Sequence, residues 1–136
     1  MKGILPKELK LSYGDPPYDI HVDVKAIGGD LLAVVTGGTR PHIGAVALAE
    51  PADARHPVTG ALVDAAHETA AGCPVLTAAG HKDTALAEMF ARGLCEHFGV
   101  CVCAAAGVHV DNAGRDEIAL MVENAKALLS QVIASV

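Results

Sequence analysis

The chain has 136 residues and a formal net charge of −6, with 51% hydrophobic residues but only 3% aromatic residues and no tryptophan. This length fits a single domain, residues 1–136, whose core must be built mainly from small aliphatic side chains. The acidic charge argues against nucleic acid as a partner, because the phosphate backbone is itself negative. No apolar run is long enough to span a membrane and no signal peptide is evident, so we expect a cytoplasmic protein with four reduced cysteines.

Alternating apolar and polar side chains predict strands over residues 7–14 and 18–27. The sequence Gly28-Gly29-Asp30 is typical of a tight hairpin turn. The continuous apolar run over 31–35 predicts a central strand, which we expect to end where residues 36–42 begin. A further strand is expected over 43–48.

The second half of the chain predicts a short strand over 74–78, a helix over 83–98, an apolar strand over 100–106 and a second helix over 114–136. The segment 61–70 is compatible with either a strand or a short helix, and its composition does not decide between them. Strands that come first and helices that follow predict an α+β fold: a mostly antiparallel sheet with two main helices packed on one face. The other face of that sheet would be available to a partner subunit.

The ends of the two predicted helices carry recognisable signals. Asp83 is a favourable N-cap for the first helix and Gly99 is a favourable residue just past its end. The second helix carries one apolar stripe that we expect to face the core, made of Ile118, Met121, Val122, Ala125, Leu128, Leu129 and Val132.

Three glycine-bearing segments between predicted elements contain the residue types that bind anions. The first follows a buried strand and consists of Thr36, Gly37, Gly38, Thr39, Arg40, Pro41, His42, Ile43 and Gly44. Its glycines allow backbone N–H groups to approach an anion closely, and Arg40 is able to hold a phosphate with two hydrogen bonds. The alternative is an ordinary glycine-rich hairpin loop.

The second segment, residues 79–83, contains the candidate site residues Gly80, His81 and Lys82 and ends at Asp83. It lies at the start of the first predicted helix, where the N–H groups and the helix dipole favour negative charge. The third segment, which contains His109, Asp111 and Asn112, lies between a strand end and the second helix. The alternatives are that Asp83 merely caps the first helix and that the third segment is a polar capping turn.

A divalent metal is a further alternative, with His42, His81, His109 and Asp111 as the candidate ligands. These residues lack the close spacing of a typical metal motif, so this hypothesis depends on how the fold brings them together.

The residues of these segments resemble the LpdD-like prenylated-flavin chaperone family. The resemblance rests on Thr36-Gly37-Gly38, on PHIGAVA at residues 41–47, on GHKD at residues 80–83 and on HVDNA at residues 109–113, and it covers about residues 24–123. It implies a protein that binds prenylated FMN, or FMN, to store it or to deliver it to a UbiD-type decarboxylase of aromatic acids, without catalysing a reaction itself. A flavin prenyltransferase is the second partner that the resemblance implies.

Under this interpretation Arg40, Lys82 and backbone N–H groups would hold the phosphate, and the histidines would meet the polar edge of the ring. The only candidates for stacking on the ring are Tyr13, Tyr18, Phe90 and Phe98. This scarcity favours a site shared across a homodimer. Two other functions stay open: a small oligomeric lyase or aldolase that uses His42, His81 or His109 as acid–base group, and a purely structural subunit of a decarboxylase.

Overall fold

The computed structural model describes residues 4–52, 73–79 and 83–136. The strands are β1 (Glu8–Tyr13), β2 (Ile20–Ile27), β3 (Asp30–Gly38), β4 (Ala45–Ala49), β5 (Val75–Thr77) and β6 (Val102–His109). The helices are α1 (Thr84–Phe98) and α2 (Arg115–Ala134). The segment 61–70, for which the sequence left two structures open, lies outside the described residues.

The described strands form one six-stranded sheet in the order β1-β2-β3-β6-β4-β5. β6 is the last described strand in the sequence, but it lies between β3, to which it runs parallel, and β4, to which it runs antiparallel. The pairs β1–β2, β2–β3 and β4–β5 are antiparallel. The predicted α+β fold with a mostly antiparallel sheet is therefore confirmed.

Both helices lie on the same face of the sheet. α1 packs on β4 and β6, while α2 packs on β1, β2 and α1. The strand residues that face the helices are buried and small: Ile20, Val22, Val24, Leu31, Ala33, Val35, Ala45, Ala47, Ala49, Val102, Ala104 and Ala106. The alanines of β4 and β6 let α1 approach closely, and the fully buried rings of Phe90 and Phe98 fill the space between these layers.

The predicted break after residue 35 is wrong, because β3 continues through Thr36, Gly37 and Gly38. These three residues pair with the last three residues of β6. A side chain at Gly37 would overlap the backbone of Asp19, and one at Gly38, where φ is +75°, would overlap the backbone of His109. The two glycines therefore allow close approach between neighbouring backbones at the end of the sheet.

The predicted hairpin at Gly28 and Gly29 is confirmed, since Ile27 pairs directly with Asp30 across it. α1 begins directly after Asp83, as expected, but the side chain of Asp83 makes no capping hydrogen bond. Gly99 ends the helix with a φ of 71°, and its N–H donates to the carbonyl of Cys95.

The apolar stripe predicted for α2 is only partly buried. Ala125, Leu128 and Val132 belong to the core, whereas the side chains of Ile118 and Val122 are 52% and 40% exposed. The first turns of this helix border a groove instead of the sheet. Neither described helix has the combination of length and apolar character that crossing a membrane requires.

Candidate functional site: a groove at the end of the sheet

A groove of about 490 Å³ opens between the first turns of both helices and the end of β6. Its apolar walls are formed by Ile20, Leu86, Val108, Val110, Ile118, Met121 and Val122. Its polar groups are His42, Asp83, His109 and Asn112. This volume, and a mostly apolar wall with a few convergent polar groups, are typical of sites that bind small molecules and cofactors.

His42 and Asp83 form a pair that joins three elements at the groove. The Nδ1 atom of His42 lies 2.8 Å from the carbonyl oxygen of Arg40, and its Nε2 atom lies 3.1 Å from Oδ2 of Asp83. The other carboxylate oxygen of Asp83 accepts the backbone N–H of Val108 at 3.0 Å. Asp83 is buried, with 7% of its surface exposed. Because both ring nitrogens of His42 face oxygen acceptors, each of these two contacts needs a proton.

Two glycines make room for this pair. A side chain at Gly44 would overlap the carboxylate of Asp83, and a side chain at Gly107 would overlap the carbonyl of His42. The N–H of Gly44 donates to the carbonyl of Ala106 at 2.8 Å, which fixes the segment that carries His42 against β6. These positions therefore need glycine for packing inside the protein.

Arg40, His109 and Asp111 form a second cluster at the same end of the sheet. The guanidinium of Arg40 lies 2.5 Å from Oδ1 of Asp111 and 3.0 Å from Nε2 of His109, and that Nε2 lies 2.9 Å from the same carboxylate oxygen. The backbone N–H groups of Thr39 and Arg40 both donate to the carbonyl of His109. The hydrogen bond from His109, together with the contact and charge of Arg40, lowers the pKa of Asp111 below its ordinary value of 3.8. The cluster is exposed to solvent.

The first and third predicted segments thus come together at one end of the sheet. Thr39, Pro41 and Ile43 lie in the connection from β3 to β4, and Asn112, with a φ of 58°, belongs to the turn before α2. Of the second segment, Asp83 lies at the groove, whereas the candidate residues Gly80, His81 and Lys82 lie outside the described residues.

The described residues contain no group of three or more His, Cys, Asp or Glu side chains arranged to hold a metal ion. His42 is paired with Asp83, and His109 is paired with Asp111. A metal at His42, His81, His109 and Asp111 stays a prediction, since His81 lies outside the described part of the chain.

Several groove residues were not predicted as site residues. Asp83 was expected to be a helix cap, and Ile118, Met121 and Val122 were expected to be core. The sequence does contain an indication of this role for the α2 residues. The apolar stripe of α2 begins directly after the third segment, so its first members must lie close to that segment. Phe90 and Phe98 are buried and unavailable for stacking on a ligand, and no Phe or Tyr side chain of the described residues lines the groove.

The sequence profile of the prenylated flavin chaperone LpdD-like domain matches residues 14–136. The chain belongs to this family. A relative in it is Protein LpdD of Lactiplantibacillus plantarum, which is 30% identical over 117 residues that cover 86% of this chain and 76% of that protein. The family name supports a chaperone role for this chain.

The fold also occurs in a solved structure of different sequence. A chain from the crystal structure of a chaperone complex for yeast 20S proteasome assembly superposes with a TM-score of 0.53 at 13% identity, over 94% of this chain and 92% of that chain. At this identity the similarity shows the fold alone.

Proposed function

We propose that the groove binds prenylated FMN, or FMN, and that the protein stores this cofactor or delivers it to a UbiD-type decarboxylase that acts on aromatic acids. The observation that carries this proposal is the composition of the groove: apolar walls from both helices, with His109 and Asn112 among its polar groups. A flavin has flat apolar faces and a polar ring edge, so it needs this combination. Membership of a family named for prenylated flavin chaperones supports the same cofactor.

Arg40 is the group that we assign to the cofactor phosphate. Its guanidinium already holds a carboxylate, that of Asp111, and the contact is exposed at the same end of the sheet as the groove. A phosphate dianion would take the place of that carboxylate with two charge-assisted hydrogen bonds. Lys82, which the sequence also suggests for the phosphate, has no described position.

The side chains of the groove bind, orient and shield the cofactor, whose own reactivity is used by the decarboxylase. The arrangement of His42 favours carriage over catalysis by this residue. A general base needs a ring nitrogen directed at its substrate, whereas both nitrogens of His42 are directed at protein oxygens, those of Arg40 and Asp83. This argues against the lyase or aldolase alternative at His42, and a built groove argues against a purely structural subunit.

The partners follow from this proposal. A flavin prenyltransferase would supply the cofactor and the decarboxylase would receive it, in the cytoplasm. All four cysteines are present as thiols and not as disulfides, which suits a reducing compartment.

The test is anaerobic purification after co-expression with a flavin prenyltransferase, followed by native mass spectrometry and an ultraviolet–visible spectrum. We expect a bound mass equal to that of prenylated FMN together with a flavin-type absorption. Protein that contains no such mass, and that also fails to take up added reduced prenylated FMN, would contradict the proposal. It would then favour the small histidine- or metal-dependent enzyme.

A further inference from the structure

The face of the sheet opposite the helices carries a continuous apolar patch. Val34, Ala105, Val46 and Leu76 are direct neighbours across β3, β6, β4 and β5. The next row along the strands consists of Leu32, Cys103 and Leu48. We call these seven residues the open face. Leu76 is 79% exposed and Leu48 is 42% exposed, while the others are half-buried by their neighbours in the sheet.

The charge next to the open face is nearly balanced, although the chain as a whole carries −6. On the same side of β1 and β2, Glu8 lies opposite Lys25 and Lys10 lies opposite Asp23, so these four charges cancel. Asp30, at the start of β3, adds one negative charge and accepts the N–H of Cys101 at 3.2 Å. Two copies of an acidic protein repel each other over most of their surface, but they repel little here.

The dimensions of this side of the sheet also suit a dimer. The six strands are three to nine residues long and about 4.8 Å apart, which gives this side of the sheet a flat area of roughly 600 Å². The open face, on β3, β6, β4 and β5, makes up roughly two thirds of this area, and the charged pairs of β1 and β2 make up the rest. Because side chains project from the sheet, the solvent-accessible area of this surface is larger than its flat area. It approaches the roughly 800 Å² that each partner buries in a standard stable interface. A twisted sheet packs well on a second sheet of the same kind, at a separation of about 10 Å.

We propose that the open face binds the open face of a second copy of this chain. The dimer would be a sandwich of two sheets with the helices on the outside, and one apolar patch would cover the other in an isologous interface. The groove lies in the helix layer on the other side of the sheet, so this proposal does not depend on the function proposed for the groove.

Sedimentation velocity over a range of micromolar concentrations tests the proposal. We expect a dimer for the natural chain and at least a tenfold weaker dimer for the double variant Leu48→Lys, Leu76→Lys. Both side chains are already exposed in the single chain, so the variant should retain its far-ultraviolet circular dichroism spectrum. The matched control is Leu120→Lys, Val136→Lys, at exposed apolar positions in and beyond α2, and it should remain a dimer.

A natural chain that sediments as a monomer throughout overturns the proposal and makes the open face a site for a different protein. A dimer that survives in the Leu48→Lys, Leu76→Lys variant overturns it too, since the interface then lies elsewhere. If that variant does not fold, a measurement on the natural chain still tests the proposal. The alkylation rate of Cys103, followed by peptide mass spectrometry, should fall as the protein concentration rises, and a rate independent of concentration overturns the proposal.

Discussion

The Nε2 atom of His42 lies 3.1 Å from Oδ2 of Asp83, although 41 positions separate the two residues in the sequence. Asp83 stands where a helix cap is expected, yet its carboxylate reaches across to the end of the sheet. One oxygen holds the N–H of Val108 and the other holds His42. This one carboxylate therefore connects the start of α1, the end of β6 and the segment before β4.

Two substitutions of Asp83 should separate the contribution of its hydrogen bond to stability from the contribution of its negative charge. Asp83→Ala leaves the partly buried N–H of Val108 without this acceptor, which should lower the free energy of unfolding by roughly 1–3 kcal/mol. Asp83→Asn keeps an oxygen for that N–H and offers an amide donor to Nε2 of His42, so it should cost less. Urea unfolding at neutral pH measures both.

Equal losses for Asp83→Ala and Asp83→Asn would show that the charge of Asp83, and not its hydrogen bond to Val108, supports the fold. Glu96→Ala is a suitable control, since it removes a carboxylate from an exposed position on α1, and we expect it to change stability by less than about 0.5 kcal/mol.

Gly107→Ala should be strongly destabilising, because its side chain would overlap the carbonyl of His42. Overpacking of this kind costs about 1–3 kcal/mol or more when backbone must move. Gly29→Ala is the matched control: its new methyl group meets nothing within 4 Å. Thermal unfolding of both variants should show a clearly lower Tm for Gly107→Ala alone, and similar Tm values would contradict the close approach.

Asp111 should titrate below its ordinary pKa of 3.8, since His109 and Arg40 stabilise its ionised form. A lowered pKa in the folded state means that the stabilising contribution is complete above the unfolded value and is lost as the pH falls through the folded value. Carboxyl-carbon NMR titration of the folded protein measures this directly. In the Arg40→Ala variant the midpoint should move upward, and an unchanged midpoint would mean that Arg40 does not contact Asp111 in solution.

Asp111→Asn should strengthen the binding of FMN if Arg40 exchanges this carboxylate for a phosphate. Arg40→Ala should weaken FMN binding by about 1.5–3 kcal/mol, the scale of a hydrogen bond to a charged group. Riboflavin, which lacks the phosphate, is the control ligand, and neither variant should change its affinity. Calorimetric titrations that show equal effects on both ligands would remove Arg40 from the phosphate site.

Ile118→Ser should weaken FMN binding about tenfold while leaving Tm almost unchanged, because this side chain lines the groove and is already half-exposed. Leu120→Ser is the matched control on the same helix, with 45% exposure and no place among the groove-lining residues. If the two substitutions have the same effect on affinity, the flavin does not lie against α2.

Much of the fold was predictable because it depends on local patterns. Period-two alternation located β1 and β2, the Gly28-Gly29 pair located their hairpin, and the spacing of Leu86, Phe90 and Leu94 located α1. The sequence failed where a neighbouring strand decided the structure. Thr36, Gly37 and Gly38 have the composition of a loop, and they continue β3 only because β6 pairs with them.

The candidate site was predictable in composition but not in geometry. Residues 40, 42, 109 and 111 were identified from their positions beside glycines at strand ends, and the structure brings Arg40 to His109 and Asp111. The role of Asp83 was not predictable, because its cap position is a complete local explanation and its partners lie 25 and 41 positions away. Ile118 and Val122 were misassigned because helical periodicity identifies an apolar face without stating what that face meets.

The central position of β6 has a consequence for how this chain reaches its structure. During synthesis β3 and β4 emerge well before the strand that must be inserted between them, so the sheet cannot be completed until residue 109 has left the ribosome. Pairing across such long sequence separations makes folding slow. Arg40 therefore lacks its partners His109 and Asp111 until the last third of the chain has been made. The groove is completed later than the sheet, because its walls also include the first turns of α2.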